Sequence, residues 1–364
     1  MQAPGALRSA ALAAACVIFA ACPPSSTSTD AKKRSALEPE HRFGNDPELV
    51  ADFAALKTCV YRDGRLDDSC DKLQVLRRRL LVKSRKRERR PKVVTTLANL
   101  LESRRELTRL VAAESLFPHH AAPAIVAATR RALAVEKAPA VKAALLRQSC
   151  WRPTDWARRV ALELLDPAES PRVQAEAATC LGRIARSSEG KEHRVPIVRA
   201  LVSALDRTRT AAVRARACAA LGAAGAAEAT AALAALLDEP DLAGRCAPAV
   251  ARLGTRDAYE ALLGAARQGL AASRTLPTQL VSALTAFEGR PFVDREGLAQ
   301  VLQEIAGQRA QSWVARCRAV EALTRLDSRA HLDQLRRAYA AGERSEDDER
   351  VLKALEVRPP RPSR

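Results

Sequence analysis

Cysteine and histidine are the residues of this sequence best able to carry chemistry, and their spacing argues against catalysis. The nine cysteines and five histidines form none of the H-E-x-x-H, C-x-x-C or H-x-x-x-H patterns that hold a zinc ion. The sequence has no glycine-rich phosphate loop, dinucleotide-binding fingerprint or G-x-S-x-G nucleophile elbow. Its many carboxylates form no pair with an evident acid–base role. We therefore expect a non-enzymatic protein without a metal or cofactor.

His119 and His120 stand side by side and are the nearest approach to a metal-binding pair. They follow Phe117 and Pro118 in the sequence LFPHHAAP, whose composition indicates a turn between two helical segments. We expect both histidines to be exposed in that turn and not to bind a metal.

Cys59 and Cys70 are spaced for a disulfide that closes a helical hairpin. They lie at the two ends of CVYRDGRLDDSC, with one apolar-periodic helix before the loop and another after it. On the loop-entropy model, a bond across so short a loop stabilises the fold by about 2–3 kcal/mol. The aspartates of the loop lack the spacing and the glutamate of an EF-hand, which excludes that type of calcium site.

Five more cysteines follow, most of them among alanines on predicted helices. Cysteine in such surroundings usually acts as a small buried hydrophobe. Because five is an odd number, at least one thiol must stay unpaired, and the pairing of the others is open. These cysteines are Cys150, Cys180, Cys218, Cys246 and Cys317.

A basic segment between Arg77 and Lys92 holds ten cations and a single acid, Glu88. Like charges one helical turn apart repel by about 0.2–0.5 kcal/mol per pair, and nothing apolar remains from Lys83 to Arg90. Two interpretations are open: a solvated connector into the next helix, or a patch that binds an anion or a partner. The candidate binding residues are Arg77, Arg78, Arg79, Lys83, Arg85, Lys86, Arg87, Arg89, Arg90 and Lys92.

Two tryptophans in the sequence CWRPTDW are a further candidate. Trp151 and Trp156 either line a binding surface or pack, partly buried, between helices. Both interpretations are open.

The N-terminus has the pattern of an export signal. Arg8 precedes an uncharged stretch, Ala10 to Ala21, which is shorter than the ~20 residues that cross a bilayer and is typical of a signal peptide. The stretch ends in Phe-Ala-Ala-Cys22, which resembles a bacterial lipobox, so we expect Cys22 to carry a diacylglyceryl group. Ordinary cleavage beside an incidental cysteine is the alternative.

These features predict a protein anchored in the bacterial cell envelope by its N-terminal lipid. Residues 1–21 would be removed, and residues 22–44 would form a polar tether with too little apolar surface to fold. We expect the outer membrane or the periplasmic face, not the cytoplasm. The formal net charge of +18 would ordinarily indicate nucleic acid. Export excludes nucleic acid and leaves anionic lipid, wall polymers and acidic proteins as partners. Alternatively, the basic residues only keep the helix faces solvated, and the charge has no partner.

Internal repeats decide the architecture. The segments Val173–Gly182 and Val213–Gly222 agree at five of ten positions, and a third copy closes with Leu253 and Gly254. A second helix with i, i+3, i+4, i+7 apolar spacing follows several copies. The anchor leucines of the copies are Leu181, Leu221, Leu253, Leu284 and Leu323.

The pattern V-R-x-x-A-x-x-A-L-G followed by A-x-x-x-L resembles HEAT repeats, particularly the short bacterial type also found in phycobilin lyases. The resemblance is clear over residues 171–267, fainter over 104–170 and 271–340, and absent before about residue 95. It implies an all-α, right-handed α-solenoid of about six HEAT-like helical pairs. The expected segments are an N-terminal helical cap with the basic segment at 45–103, the repeat array at 104–342, and a C-terminal helix and tail at 343–364.

The function expected from this architecture is non-catalytic. We expect an envelope scaffold or adaptor that binds another protein through its solenoid surface. The alternative is binding of anionic lipid or cell-wall polymer through residues 77–92. A lyase-like activity ranks third, because a shared solenoid does not transfer an activity and the chain has few aromatic residues for a chromophore pocket.

Removal of the predicted lipid site should release the protein from the membrane. A diacylglyceryl group supplies two acyl chains, which suffice for stable anchoring. We expect Cys22→Ala to move the protein from the membrane fraction to the soluble fraction, as followed by fractionation and immunoblotting. Unchanged processing and membrane fractionation of the variant would show that Cys22 is not lipidated.

Overall fold

The computed structural model describes residues 46–62, 64–187, 192–341 and 345–356. The predicted signal peptide, Cys22 and the tether lie outside these residues, as do residues 357–364 of the predicted tail. Two short strands, β1 (Tyr61–Arg62) and β2 (Arg65–Leu66), pair as an antiparallel hairpin. The helices are α1 (Pro47–Ala55), α2 (Asp71–Arg85), α3 (Arg90–Leu100), α4 (Glu106–Glu114), α5 (Pro123–Val135), α6 (Pro139–Ser149), α7 (Asp155–Glu163), α8 (Pro171–Arg186), α9 (Arg194–Ser203), α10 (Ala211–Ala224), α11 (Thr230–Ala234), α12 (Pro240–Leu253), α13 (Arg256–Ala271), α14 (Thr278–Thr285), α15 (Arg295–Gly307), α16 (Trp313–Arg325), α17 (Arg329–Ala340) and α18 (Glu346–Glu356).

From α4 onward the helices alternate between two layers. The even-numbered helices α4 to α18 form the first layer, in which each helix packs on the next even-numbered one. The odd-numbered helices form the second layer and pack across onto their first-layer neighbours. The expected all-α solenoid is confirmed. The array has seven helical pairs, α4/α5 to α16/α17, and about six were expected. The sequence underestimates the number because the first pairs lack the Leu-Gly signature that identifies a repeat.

Local sequence signals fix where the first-layer helices begin and end. Ser170, Thr210 and Ser312 cap α8, α10 and α16, and each hydroxyl accepts a hydrogen bond from the backbone N–H three residues on. Gly225 and Gly254 follow α10 and α12 with positive φ angles of 64° and 68°. Glycine adopts this left-handed conformation without strain, which ends each helix in a sharp turn.

The first-layer helices approach each other most closely at two glycines. A Cβ atom on Gly182 of α8 would lie 2.7 Å from the Cα of Ala220 in α10. A Cβ atom on Gly222 of α10 would lie 2.6 Å from the Cα of Ala249 in α12. No real side chain tolerates such distances, so these two junctions require glycine. Leu181, the residue before the first of them, is fully buried.

The third repeat copy does not have the predicted register. Leu253 was expected to match Leu221, but it is only partly buried, whereas Val250 is fully buried. Gly254 ends α12 as Gly225 ends α10, so the match is displaced by three residues. The Leu-Gly pair was misleading because the same dipeptide can supply a buried anchor or a helix cap.

Two disulfides connect successive first-layer helices. Cys150, which ends α6, is bonded to Cys180 of α8, and Cys218 of α10 to Cys246 of α12, with Cα atoms 5.4 and 5.3 Å apart. These four cysteines are buried, as expected, and their pairing, which the sequence left open, follows from the repeat period, because it brings matching positions of neighbouring helices together. Cys317 is the one free cysteine among the described residues.

A third disulfide closes the N-terminal loop. The structure joins Cys59 to Cys70, whose Cα atoms are 5.7 Å apart. The loop between them folds as the β1–β2 hairpin, where a plain helix–loop–helix connection was expected. Gly64, at the tip of the hairpin, has a φ of 72° and accepts a hydrogen bond of 2.9 Å from Arg172 Nη1 at the start of α8. The hairpin therefore lies on the first layer and does not extend into solvent.

A recurring ion pair connects neighbouring repeats. Four first-layer helices carry a cation at their fourth residue. Each cation pairs with an acid that lies just before the next first-layer helix or in its first turn. These contacts use part of the basic charge inside the array, where the partners are at least half buried. The pairs are Arg109–Glu136 (2.7 Å), Lys142–Glu169 (2.8 Å), Arg214–Glu239 (2.7 Å) and Arg316–Asp348.

Two glycine-to-alanine substitutions should change stability in opposite directions. Gly222→Ala places a methyl group against the α12 backbone, and such overpacking costs about 1–3 kcal/mol. Gly264→Ala, inside α13, meets no atom within 4 Å and should stabilise the protein by about 0.5–1 kcal/mol through helix propensity. Urea denaturation measures both. Equal effects of the two substitutions would disprove the close contact at Gly222.

Candidate functional site

The basic segment forms a turn between two helices. Helix α2 ends at Arg85, residues 86–89 form the turn, and α3 begins at Arg90. This is the geometry of a solvated connector. Binding of an anion or a partner by its exposed cations stays a prediction.

Lys83 does not belong with the predicted binding residues. Its Nζ lies 2.6 Å from Asp46 Oδ1 and 2.9 Å from Glu48 Oε2, and its side chain is 6% exposed. Burial disfavours the charge, but the hydrogen bonds to Asp46 and Glu48 outweigh it and raise the pKa of Lys83. The ammonium group thus attaches α2 to the start of α1, out of reach of a ligand.

Two other predicted cations also pair with acids. Arg79 Nη1 lies 2.9 Å from Asp52 Oδ1, and Arg77 Nη1 lies 2.9 Å from Asp68 Oδ1. The remaining seven residues are exposed, and six of them have side chains that pair with no other described residue. Arg90 differs, because its Nη2 donates a hydrogen bond to the carbonyl oxygen of Pro118. The seven are Arg78, Arg85, Lys86, Arg87, Arg89, Arg90 and Lys92.

The basic turn rests on the short 3₁₀ turn Phe117–His119 that follows α4. Arg90 Nη2 donates to the carbonyl of Pro118 at 3.2 Å, and Ser84 Oγ lies 2.9 Å from His119 Nε2. The prediction of two exposed histidines is wrong for His119, which is 2% exposed and has no hydrogen-bond partner for Nδ1 among the described residues. Burial, together with the nearby Arg90 charge, lowers the pKa of His119.

Aromatic rings continue this surface beyond the basic turn. The side chains of Phe117 and Trp151 are 48% and 44% exposed, and their ring centroids lie 4.6 Å apart. His120 stacks on Phe117 at 5.9 Å, and the Arg183 guanidinium lies 4.6 Å from the centroid of Trp151. Trp156, in contrast, is partly buried beneath Arg130. Of the two tryptophans, Trp151 therefore has the geometry of a binding residue and Trp156 that of packing.

We call this surface the basic–aromatic patch. Its members come from the α2–α3 turn, the end of α4, the end of α6 and the last turns of α8. Sequence reasoning missed Phe117 and Arg183, although both lie near the end of a first-layer helix and so at the same edge of the layer. The patch comprises Lys86, Arg87, Arg89, Arg90, Phe117, His120, Trp151 and Arg183.

Metal-binding clusters and membrane-spanning helices are absent from the described residues. In it, no group of three or more His, Cys, Asp or Glu side chains is placed to hold a metal ion. Of the helices described, none has the length and apolar character needed to cross a bilayer.

A family model for HEAT repeats matches residues 158–245. The matched region contains α8 to α11 in full, the Gly182–Ala220 junction and the Gly222 side of the next junction. Residues 158–245 are HEAT repeats. The two-layer packing continues with the same alternation on both sides of this region. Comparison with curated proteins finds no match.

Similar solved structures include both natural and engineered chains. The complex of CpcE and CpcF of phycocyanin lyase from Nostoc sp. PCC7120 is 17% identical, covers 72% of this chain and 93% of that chain, and gives a TM-score of 0.38. One engineered protein is 17% identical over 92% of this chain and 97% of its own, with a TM-score of 0.42. Another is 22% identical over 72% and 96%, with a TM-score of 0.27. At these TM-scores the likeness carries no inference about activity.

Buried His119 should make stability depend on pH. Its pKa is lowered in the folded state, so below about pH 6.5 the unfolded chain binds the proton more readily and stability falls. This loss amounts to at most about 1.4 kcal/mol per pH unit until the folded-state pKa is reached. We expect His119→Gln to lose less stability than wild type between pH 7.5 and pH 5, as measured by urea denaturation.

The partly exposed neighbour supplies the control. His120→Gln should keep the wild-type loss of stability over the same pH range. An unchanged pH dependence in His119→Gln would contradict the buried, uncharged state of this imidazole.

Proposed function

We propose that this HEAT-repeat protein is a lipid-anchored, non-catalytic adaptor of the bacterial cell envelope that binds another protein through the basic–aromatic patch. The adaptor role follows from an extended, repetitive surface with no evident catalytic constellation. The anchored location follows from the N-terminal signal and Cys22. Three disulfides in the described residues support export, because such bonds persist in oxidising compartments.

The exposed ring pair of Phe117 and Trp151 carries the proposal. Aromatic residues and arginine are enriched in protein interfaces and dominate their binding energy. The whole chain has only three tryptophans, three tyrosines and six phenylalanines, and yet two large rings meet in the open at this site. Arg183 covers one face of the indole, and Arg90, at the end of the basic turn, donates to the carbonyl of Pro118 next to Phe117. A partner with an acidic surface around an apolar centre would complement this patch.

The array under the patch is stiff, which favours binding. Trp151 directly follows Cys150, whose disulfide to Cys180 fixes the end of α6 against α8. Arg183 lies three residues after Cys180, on the same bonded helix. A surface that is ordered before binding loses less conformational entropy when the partner docks.

Capture of the envelope partner tests the proposal. Tagged protein would be cross-linked in intact cells, purified, and its partners quantified by mass spectrometry. We expect Trp151→Ala to reduce the cross-linked partner at least about tenfold, as loss of an aromatic hot spot does.

Trp313 provides a matched control at the far end of the array. It is 38% exposed, and the Arg350 guanidinium lies 4.9 Å from its ring centroid. Trp313→Ala should retain the partner. Equal loss in both variants, or no protein enriched above the tag control, would refute binding through the patch.

One observation favours the alternative of a membrane-facing surface. Val75, Leu81 and Val82 on α2 are 45–55% exposed, and the exposed cations Arg78 and Arg85 stand beside them. Apolar and basic side chains on one helix are typical of segments that lie on anionic membranes. Under this alternative, Cys22→Ser protein would co-sediment with phosphatidylglycerol vesicles, Leu81→Ser would weaken that binding, and Trp151→Ala would not.

A further inference from the structure

A second surface lies on the exposed faces of three successive first-layer helices, α8, α10 and α12. On α12 the residues Arg245, Pro248 and Arg252 follow each other at spacings of three and four, which places them on one face. On α10 the matching residues are Arg216 and Ala219. The buried contacts of these helices point to the other side, so this face is open to solvent.

The helices lie in a register that aligns these residues. The Cys218–Cys246 disulfide and the contact of Gly222 with Ala249 place α10 beside α12 in parallel. They place Arg216 of α10 within one or two helical positions of the level of Arg245 of α12, and Ala219 equally near the level of Pro248. The contact of Gly182 with Ala220 aligns α8 in the same way.

The aligned residues form two rows of arginines with a floor of small side chains between them. One row holds Arg216 and Arg245. The other holds Arg252 with Arg183 and Arg186 at the end of α8. The floor between the rows consists of Thr179, Ala219 and Pro248, and we call the whole surface the arginine trough.

Four of these arginines have free charge. Arg186, Arg216, Arg245 and Arg252 are exposed, and their side chains pair with no carboxylate among the residues that the structure describes. Glu176, the acid on the same face of α8, is already paired with Arg147 at 3.0 Å. Asp241, at the start of α12, stands beyond the first row. The trough therefore has a net positive field along its length.

The dimensions of the trough fit one extended polypeptide. Arg245 and Arg252 are seven residues apart on α12, which is about 10 Å along the helix axis. Adjacent strands in a sheet are about 4.8 Å apart, so a single extended chain fits between the rows with room for its side chains. A cleft of about 530 Å³ between Arg186 and Arg252, beside Gly225, deepens one end of the trough.

We propose that the arginine trough binds an extended acidic segment of the partner protein. Guanidinium groups form bidentate hydrogen bonds with carboxylates, and two facing rows can hold aspartate and glutamate side chains that alternate along a strand. Of the large apolar side chains exposed in the described residues, Trp151 alone borders this face, through Arg183, and so small an apolar area disfavours a membrane as the occupant. This inference rests on the adaptor function proposed above.

Arg183 connects the trough to the basic–aromatic patch. Its guanidinium packs on Trp151 of the patch, and Arg183 belongs to the row of the trough that also holds Arg186 and Arg252. A partner could thus place an aromatic or apolar anchor at the patch and lay its acidic segment across α8, α10 and α12.

Binding of a synthetic acidic peptide tests the trough separately from the patch. The probe is a fluorescein-labelled peptide of alternating glutamate and serine, titrated with the full-length protein in detergent and followed by fluorescence anisotropy. We expect saturable binding that weakens between about 50 mM and about 200 mM NaCl, as screening of exposed charges requires. Arg216→Gln with Arg245→Gln should weaken it at least about tenfold, since two charge-assisted contacts are lost.

The matched control removes the same charge from the second layer. Arg159 of α7 and Arg199 of α9 are exposed and, among the described residues, have no ion-pair partner. Arg159→Gln with Arg199→Gln should bind the peptide within about twofold of wild type. Circular dichroism of both double variants checks that the fold is kept, as expected for exposed positions.

Several outcomes would overturn the trough. They are absence of saturable peptide binding, equal weakening in the two double variants, and tighter binding of polyphosphate or of phosphatidylglycerol vesicles than of the peptide. The outcome also separates the two proposals. If the protein does not bind the peptide but still captures its partner in a Trp151-dependent way, only this inference is refuted. If the protein binds the peptide but captures no partner through Trp151, only the proposal for the patch is refuted.

Discussion

The contact of Gly222 with Ala249 and the contact of Gly182 with Ala220 set the distance between first-layer helices in the centre of the array. In a solenoid each repeat touches only its neighbours, so the spacing at one junction determines where every later repeat lies. At these junctions the backbones meet with no side chain between them. The Cys218–Cys246 bond fixes the same α10–α12 junction covalently, and Cys150–Cys180 fixes the junction before α8. Close packing and cross-links together give a stiff central block.

Charge has two separate uses in this array. Some cations lie inside it, such as Arg316, which is 2% exposed and bonded to Asp348 and to Tyr339 Oη. Burial opposes ionisation of Asp348, but hydrogen bonds from Ser345 and Arg316 prevail and lower its pKa to about 2. Loss of one partner of such a buried pair typically costs about 3–5 kcal/mol, because the other charge stays behind unpaired. The net charge of the chain therefore overstates what is available for binding.

Other cations have no acidic partner among the described residues. Two groups of them lie near each other, one on the α2–α3 turn and one on the faces of α8, α10 and α12, and Arg183 contacts Trp151 between the two groups. The contact of Arg183 with Trp151 connects the two groups through an aromatic side chain. Steering of an acidic partner by such a surface raises the association rate more than the affinity.

The sequence predicts the parts of this fold that depend on local patterns. Spaced alanines and a closing Leu-Gly identify α8 and α10 as first helices, because those residues are required where two helices touch. Residues whose role depends on a distant partner are not predictable in this way. Lys83 resembles its neighbours in a basic run until Asp46 is known to lie against it, and Cys218 resembles a buried apolar residue until α12 is placed.

The same limit applies to the candidate site. The basic turn is evident as a run of like charges, but Phe117, Trp151 and Arg183 are far apart in sequence and meet only because helix ends of successive repeats share one edge. His119 illustrates the converse error. Its turn composition indicates exposure, yet the last turn of α2 covers it through Ser84.

Hydrogen exchange of Leu221→Ala tests the central claim, that local junctions between first-layer helices hold the array together. Leu221 is fully buried in α10, and its truncation should leave a cavity and cost about 2–5 kcal/mol. We expect faster exchange mainly in residues 171–267, little change around Cys59 and Cys70, and no comparable effect of Arg216→Ala on the exposed face. Uniform acceleration from end to end, or equal effects of the two substitutions, would contradict it.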